Sequence, residues 1–259
     1  MNGIRTAAKN QAIVVWALML RETKTLFGRH KLGYLWAPIQ VAYNIAIFWV
    51  IRDLAGFQPP PGLSTATFLI GGFIPFYLFS EAVGGNLNAV GGNRALLTYP
   101  QVLPLDLLAA RTLLNGAMYL CVMLILLIAA YGLGYRVTAP NPELILAALS
   151  LTLLLGFGLG CLCSALNLMW PTTGRIVPMV VRLLFYVSGL FFSVEASPAY
   201  LKNILFYNPL SHLIEWLRDG FSGYASPFVD PPYVVGFTLA ATALGLLLER
   251  YSRRYLDRI

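Results

Sequence analysis

The sequence predicts an all-α integral membrane protein with six transmembrane helices, an N-terminal amphipathic interfacial helix and a re-entrant helical pair between spans 5 and 6. Of its 259 residues, 58% are hydrophobic and only 11% are charged, whereas soluble domains carry about 25% charged residues. Several charge-free runs approach or exceed the roughly 20 apolar residues that a membrane-spanning helix needs. These runs cover residues 32–51, 112–135, 144–174 and 231–248.

The distribution of basic residues predicts how the chain is oriented in the membrane. The six predicted spans cover residues 32–51, 65–87, 107–135, 144–166, 176–192 and 231–248. With the amino terminus inside, the cytoplasmic segments carry 12 Lys and Arg residues and the opposite side carries 4. The positive-inside rule therefore places both termini in the cytoplasm. Residues 1–31 form a cytoplasmic segment, residues 32–249 the transmembrane domain and residues 250–259 a basic cytoplasmic tail.

Residues 11–27 have the pattern of an amphipathic helix that lies in the membrane interface. Apolar and small side chains recur there at helical spacing, namely Ile13, Trp16, Leu20, Thr23 and Phe27. The alternative is a first transmembrane helix, although the charge-free part, residues 12–20, is too short to span a bilayer.

The segment of residues 193–232 is interrupted by five prolines, yet it contains two apolar pieces. Residues 200–207 and 210–221 are predicted as short helices separated at Asn208-Pro209. Breaks at membrane depth persist only where protein or a watery cavity covers them, so we expect a re-entrant or surface-lying pair on the outer side. An ordinary extracellular loop is the alternative.

Several function classes lack their characteristic residues. No G-x-x-x-x-G-K-[ST] phosphate loop is present, so ATP must be hydrolysed elsewhere if it is used at all. His30 and His212 have no metal-site spacing, and no G-x-S-x-G motif occurs. The basic residues form no patch of the kind that nucleic-acid binding requires. We therefore expect no catalytic residue, no metal site, no cofactor in this chain and no nucleic-acid partner.

Four ionisable residues lie within or near the predicted spans, where charges are costly and therefore informative. They are Glu81, Asp106, Arg111 and Arg182. The first three lie toward the cytoplasmic ends of their helices and could pair with one another or reach the interface. Arg182 lies about two turns into the fifth span, where it either faces a polar cavity or reaches the interface.

The sequence resembles the membrane subunits of ABC exporters for bacterial surface polysaccharides, most closely the capsular polysaccharide permeases. Residues 93–111 carry the closest match, N-R-A-L-L-T-Y-P-Q-V-L-P-L-D-L-L-A-A-R. Three further stretches agree in the same order, and the basic tail follows: residues 21–36 (R-E-T-K-T-L-F-G-R-H-K-L-G-Y-L-W), 71–79 (G-G-F-I-P-F-Y-L-F) and 208–220 (N-P-L-S-H-L-I-E-W-L-R-D-G). Asn115 departs from the acidic residue expected there in many relatives.

The resemblance implies a homodimeric, non-enzymatic permease in the bacterial inner membrane that moves a lipid-anchored polysaccharide toward the periplasm. It also implies two copies of a separate ATPase, which bind the ATP and Mg²⁺, and periplasmic and outer-membrane capsule export proteins as partners. The N-terminal block fits O-antigen and teichoic-acid exporters equally well. Two other classes remain open, an ATPase-independent channel or carrier and an intramembrane lipid-modifying enzyme.

Three sets of residues are predicted to act in transport. The turn at residues 22–29 and the loop at residues 93–100 are predicted to contact the ATPase, with coupling residues Glu22, Lys24, Arg29, Asn93 and Arg94. Arg21 and Lys31, with Lys24 and Arg29, are predicted to gather anionic head groups or acidic sugars. The path itself is assigned to charged residues and to aromatic rings on spans 1 and 5: Glu81, Arg111, Arg182, Tyr34, Trp36, Tyr43, Trp49, Phe185 and Tyr186. The alternatives are ordinary polar loops, topology anchors and lipid-facing aromatics.

Overall fold

The computed structural model describes the backbone of residues 2–27, 33–56 and 58–258 and the side chains of residues 11–23, 39–52, 54–56 and 58–255. The described residues form α-helices and two short 3-10 helices, Arg94–Leu96 and Arg253–Arg258, and contain no strand. The α-helices are α1 (Asn2–Phe27), α2 (Gly33–Leu54), α3 (Thr65–Leu87), α4 (Ala89–Gly92), α5 (Pro104–Gly132), α6 (Pro142–Met169), α7 (Thr173–Val187), α8 (Ala199–Phe206), α9 (Pro209–Ser222) and α10 (Pro231–Ser252). The predicted all-α class is confirmed.

Four described helices, α3, α5, α6 and α10, are long and apolar enough to cross a membrane. Helices α2 and α7 lie at the other two predicted spans but do not reach that length with the described apolar residues: the apolar part of α2 is Ile39–Arg52. Helix α7 ends at Val187, five residues before the predicted end of span 5. It ends there because Ser188 leaves the helical conformation and Gly189 has a φ of 77°, which favours glycine.

Helix α3 is the centre of the bundle and packs against α2, α5, α6 and α9. It begins at Ser64, whose side chain accepts a hydrogen bond from the Thr67 backbone N–H at 3.2 Å, while the Thr67 hydroxyl accepts from the Ser64 N–H at 2.9 Å. This reciprocal capping satisfies two backbone donors that the first helical turn otherwise leaves free. Most of α3 is buried, as its nearly continuous apolar sequence predicts.

Glycines on α6 allow two neighbouring helices to approach closely. A Cβ on Gly160 would lie 2.7 Å from the side-chain nitrogen of Asn86 on α3, and one on Gly158 would lie 2.6 Å from the Cα of Thr242 on α10. Any larger side chain would force these helices apart. These glycines thus act in packing, as small residues at helix contacts in membranes commonly do.

Helix α1 is longer than the predicted residues 11–27 because it begins at Asn2. Ile13, Trp16 and Leu20 of the predicted apolar stripe are exposed, whereas Leu18 and Glu22 are buried against the first turns of α5. The helix therefore has one face on the bundle and another, apolar face turned outward.

The two short helices predicted at residues 200–207 and 210–221 are confirmed as α8 and α9. The Asn208 side chain accepts a hydrogen bond from the Leu210 N–H at 3.0 Å, and Pro209 occupies the first turn. Proline is suited to that position because its missing N–H would have no partner there. Helix α9 is largely buried against α3 and α6, so it is an integral part of the bundle.

Candidate functional site

Charged side chains gather at opposite ends of the bundle. We call one the α1 end, where α3 finishes, α5 begins and α1 packs on α5. The other is the α9 end, where α3 begins and the Asn141 N–H next to α6 donates to the Gly220 carbonyl of α9 at 3.3 Å. A cavity lined by α2, α3 and α7 contains two further charged residues, Glu81 and Arg182.

At the α1 end, Glu22 of α1 forms an ion pair with Arg111 of α5. The Arg111 Nε donates to Glu22 Oε1 at 2.7 Å, and its Nη1 donates to the Gly85 carbonyl of α3 at 2.5 Å. Glu22 is 8% exposed, so this charge depends on its partner. One guanidinium therefore joins three helices.

A second contact at the α1 end joins α1 to the loop that follows α4. The Arg21 Nη1 donates to the side-chain oxygen of Asn93 at 3.0 Å, and the Asn93 amide donates to the Ala89 carbonyl at 2.9 Å. The structure thus brings the predicted coupling residues Glu22 and Asn93 together with Arg21 and Arg111, which were assigned to the path. Arg94 is exposed on the adjacent 3-10 turn.

Glu81, Asp106 and Arg111 do not form ion pairs with one another in the structure. Arg111 pairs with Glu22, and the Asp106 carboxylate accepts a hydrogen bond from the Leu103 N–H at 2.8 Å. Asp106 therefore caps its own helix, where its charge also suits the positive end of the helix dipole.

The cavity brings together three predicted path residues, Glu81, Arg182 and Phe185. Tyr43 on α2 is exposed and does not line this cavity. Arg29 and Lys31, and the side chains of Lys24, Tyr34 and Trp36, lie outside the part of the chain that the structure describes. Those predictions stay predictions.

At the α9 end, Arg218 is 1% exposed and donates hydrogen bonds to five acceptors. Four are backbone carbonyls of α3 and of the segment after α7, and the fifth is the Glu215 carboxylate at 3.0 Å. The carbonyls belong to Phe68 (3.3 Å), Gly189 (2.9 Å), Leu190 (2.6 Å) and Phe192 (3.4 Å). Buried carbonyls need such partners, and the five fixed donors of arginine can supply them at once.

Arg52, near the end of α2, reaches the same segment. It donates to the Phe191 carbonyl at 3.0 Å and to the Gln58 carbonyl at 3.1 Å. The Cζ atoms of Arg52 and Arg218 lie 4.5 and 3.7 Å from the centre of the Phe68 ring, within the range of cation–π attraction.

Sequence reasoning missed the role of Arg52, Glu215 and Arg218, because it counted both arginines as outer loop charges. The usable signal was the i, i+3 spacing of Glu215 and Arg218 on an otherwise apolar helix, since such neighbours lie on one face. The carbonyls of Gly189, Leu190 and Phe192 that Arg218 binds could not be predicted, because they become available only when α7 ends at Val187.

Two more carboxylates lie beside α9. The Ser226 N–H donates to Asp219 at 3.0 Å, and the Ser226 hydroxyl donates to Glu195 at 2.8 Å. Asp219 lies in the last turn of α9, outside the membrane-spanning helices. Burial raises the pKa of its carboxyl to about 7; the Ser226 N–H opposes this rise in the pKa, and Glu215 and Glu195 add to it.

Among the described residues no three His, Cys, Asp or Glu side chains are placed to hold a metal ion.

Comparison with known proteins gives the same family as the sequence motifs. The family described as "ABC-2 type transporter" matches residues 13–222. The chain is 30% identical to the polysialic acid transport protein KpsM of Escherichia coli over 247 residues, which cover 95% of this chain and 96% of that protein.

Two capsule polysaccharide export inner-membrane proteins are also similar along nearly their whole length. BexB of Haemophilus influenzae is 27% identical, over 93% of this chain and 91% of that protein. CtrC of Neisseria meningitidis serogroup A is 24% identical, over 94% of this chain and 92% of that protein. The resemblance seen in the sequence is confirmed, and the chain belongs to the ABC-2 type transporter family.

Proposed function

We propose that this protein is the permease subunit of an ABC transporter that exports a lipid-anchored capsular polysaccharide across the bacterial inner membrane. The observation that carries the proposal is the near full-length similarity to KpsM, together with BexB and CtrC. The chain is a transport subunit rather than an enzyme, and the ATPase is a separate chain. We expect ATP and Mg²⁺ to bind that partner.

The proposed arrangement has six spans, α2, α3, α5, α6, α7 and α10, with both termini in the cytoplasm. The α1 end would then face the cytoplasm, which agrees with the basic residues near the amino terminus and after α10. Residues 1–31 would lie at the interface through the outward apolar face of α1, and residues 250–259 would form the cytoplasmic tail. Helices α8 and α9 would form the re-entrant pair, which is supported by the burial of α9 against α3 and α6.

The coupling role is proposed for the α1 end because the exposed Arg94 lies close to the buried ion pair of Glu22 with Arg111, through the contact of Arg21 with Asn93. Arg94 would contact the ATPase, and Glu22 and Arg111 would carry a movement of α1 to α3 and α5. Arg21, Lys24, Arg29 and Lys31 would attract the anionic substrate. Two copies of the chain would enclose the path, and periplasmic and outer-membrane export proteins would receive the product.

The test is reconstitution with the cognate ATPase in inverted membrane vesicles and measurement of lipid-linked glycan movement. We expect movement that requires ATP and stops when the ATPase phosphate-loop lysine is replaced. Movement without the ATPase would instead indicate a channel or carrier, and chemical turnover of lipid by the isolated chain would indicate an enzyme. Analysis of the moved glycan separates capsule from O-antigen and teichoic acid.

A further inference from the structure

The cavity between α2, α3 and α7 has a volume of about 380 Å³ and contains two residues of opposite charge. Glu81 lies on the α3 wall and Arg182 on the α7 wall. Its other lining residues are Gln40, Phe76, Ser80, Gly84, Val177, Pro178, Val181 and Phe185. Its volume falls within the range of about 300–1,000 Å³ typical of small-molecule sites.

Both charges lie well inside their helices. At 1.5 Å per residue, Glu81 is about 9 Å from the last residue of α3 and Arg182 about 13 Å from the first residue of α7. Ionised side chains at such positions are costly and are found mainly where they face a polar passage or a partner.

Neither side chain forms an ion pair within the described part of the chain. The pairs found there within 4.0 Å are Glu22–Arg111, Glu215–Arg218 and Glu249–Arg253. Glu81 and Arg182 are both exposed and line the same cavity. Arg182 is therefore available to an anion that enters the cavity, and the Glu81 carboxylate on the opposite wall would repel such an anion.

The aromatic wall of the cavity suits a sugar ring. Phe185 is only partly buried, whereas Phe76 is 4% exposed and packs behind it edge to face, with ring centres 5.2 Å apart. A flat apolar ring can cover the apolar face of a pyranose, while a guanidinium can bind a carboxylate through two parallel hydrogen bonds. A sugar that carries a carboxylate fits both features, whereas a neutral sugar uses only the first.

We propose that Arg182 binds the carboxylate of an acidic sugar residue in the polysaccharide. We propose further that Glu81 weakens this binding, so that the polysaccharide can leave the cavity. The proposal rests on the proposed export function and adds the chemical class of its substrate. Opposition by Glu81 has a clear use, because a conducting path must bind its cargo weakly enough to release it.

The test measures binding of two fluorescent oligosaccharides to the permease–ATPase complex in nanodiscs by anisotropy. One is a sialic acid oligomer and the other a neutral maltodextrin of the same length. Arg182→Gln should weaken binding of the sialic acid oligomer by about ten- to a hundredfold, as loss of a charge-assisted hydrogen bond does, and leave maltodextrin binding unchanged. Arg182→Lys should recover part of the loss.

The second variant moves the affinity in the other direction, so misfolding cannot imitate it. Glu81→Gln should tighten sialic acid binding by roughly tenfold, the effect of removing one opposing charge in a partly solvated site, and should slow ATP-driven export. Arg175→Gln, at the exposed start of the same helix, is the matched control and should leave binding unchanged.

Equal affinity of the wild-type and Arg182→Gln proteins for the sialic acid oligomer would overturn the inference. Equal affinity of the wild-type complex for both oligosaccharides would overturn it too, as would binding of neither. None of these results contradicts the export function, which is decided separately by ATP-dependent movement of the native lipid-linked glycan.

Discussion

The two ends of the bundle each depend on an arginine, but the arginines bind different kinds of partner. At the α9 end, Arg218 donates mainly to backbone carbonyls, three of which lie in the non-helical segment after α7. At the α1 end, Arg111 pairs with a carboxylate on a separate helix, and it remains partly exposed, with 19% of its side chain accessible. The first arrangement fixes a chain break, whereas the second joins helices through one ion pair.

This difference indicates which end can move. Separation of Arg218 from its acceptors would leave several buried carbonyls without this donor and the Glu215 carboxylate without its ion-pair partner, which is costly in a low-dielectric interior. Separation of Arg111 from Glu22 would break a single ion pair, and the Arg111 side chain is partly exposed, so water can take the place of the Glu22 carboxylate there. We infer that the α9 end is held rigid and that movement driven by the ATPase takes place at the α1 end.

The largest effect is expected from Arg218→Met. The substitution keeps much of the side-chain volume but removes every hydrogen bond and leaves Glu215 unpaired. The free energy of unfolding should fall by about 3–5 kcal/mol, as for other broken buried pairs, measured by thermal or denaturant unfolding in detergent. Arg136→Met, at an exposed position near the same end, should change it by less than about 0.5 kcal/mol. Similar losses in the two variants would show that the buried hydrogen bonds and ion pair of Arg218 do not stabilise the α9 end more than an exposed arginine does.

The next largest effect is a pH dependence of the free energy of unfolding, caused by Asp219 at the α9 end. Because the folded pKa of Asp219 is raised from 3.8 to about 7, folding favours its protonated form. The stability that it contributes is therefore fully present below the unfolded pKa and is lost as the pH rises toward 7, by at most about 1.4 kcal/mol per pH unit. Unfolding measured from pH 4 to pH 8 should show this decline. Asp219→Asn should flatten it, and an unchanged slope would contradict the assignment.

The helices themselves were largely predictable from the sequence. The start and end of α3 agree with the predicted span at residues 65–87, because Ser64 caps the helix and the apolar run is continuous. The end of α7 was not predictable from composition: apolar residues continue past Val187, and the carbonyls that follow it are bound by Arg218 and Arg52 from other helices. The sequence pattern around Val187 gives no indication of those contacts with helices distant in the sequence.

The candidate site was predicted in part. Glu81 on α3 and Arg182 and Phe185 on α7 share a cavity because the two helices place them at a similar depth, which helical rise makes predictable. The pairing of Glu22 with Arg111, 89 positions apart, depends on α1 folding back along α5. No spacing rule connects those residues, so the sequence placed them in separate roles.

A smaller effect on stability is expected from Glu22→Gln at the α1 end. It should lower the free energy of unfolding by about 1–2 kcal/mol, since Gln keeps the shape but not the charge of the hydrogen-bond acceptor. It should also lower the amount of glycan exported per ATP hydrolysed, because α1 would lose its ion pair with α5.

Glu249→Gln is the matched control for that variant. Glu249 is buried and pairs with Arg253 at 2.9 Å, one turn along the chain. Its stability loss should be similar, but the ratio of export to hydrolysis should stay at the wild-type value because the pair joins no separate helices. Loss of coupling in both variants would mean that stability, rather than the α1–α5 contact, sets that ratio.

The smallest effect on stability is expected from Arg94→Glu. This variant tests directly whether the α1 end contacts the ATPase. Arg94 is exposed beside Asn93, so charge reversal should change the free energy of unfolding by less than about 0.5 kcal/mol. If this turn receives the ATPase, ATP hydrolysis should continue while export falls. Arg250→Glu makes the same charge change at an exposed position near the end of α10 and should preserve export. Wild-type export by Arg94→Glu would remove this turn from the coupling surface and leave α1 as the element through which the α1 end is moved.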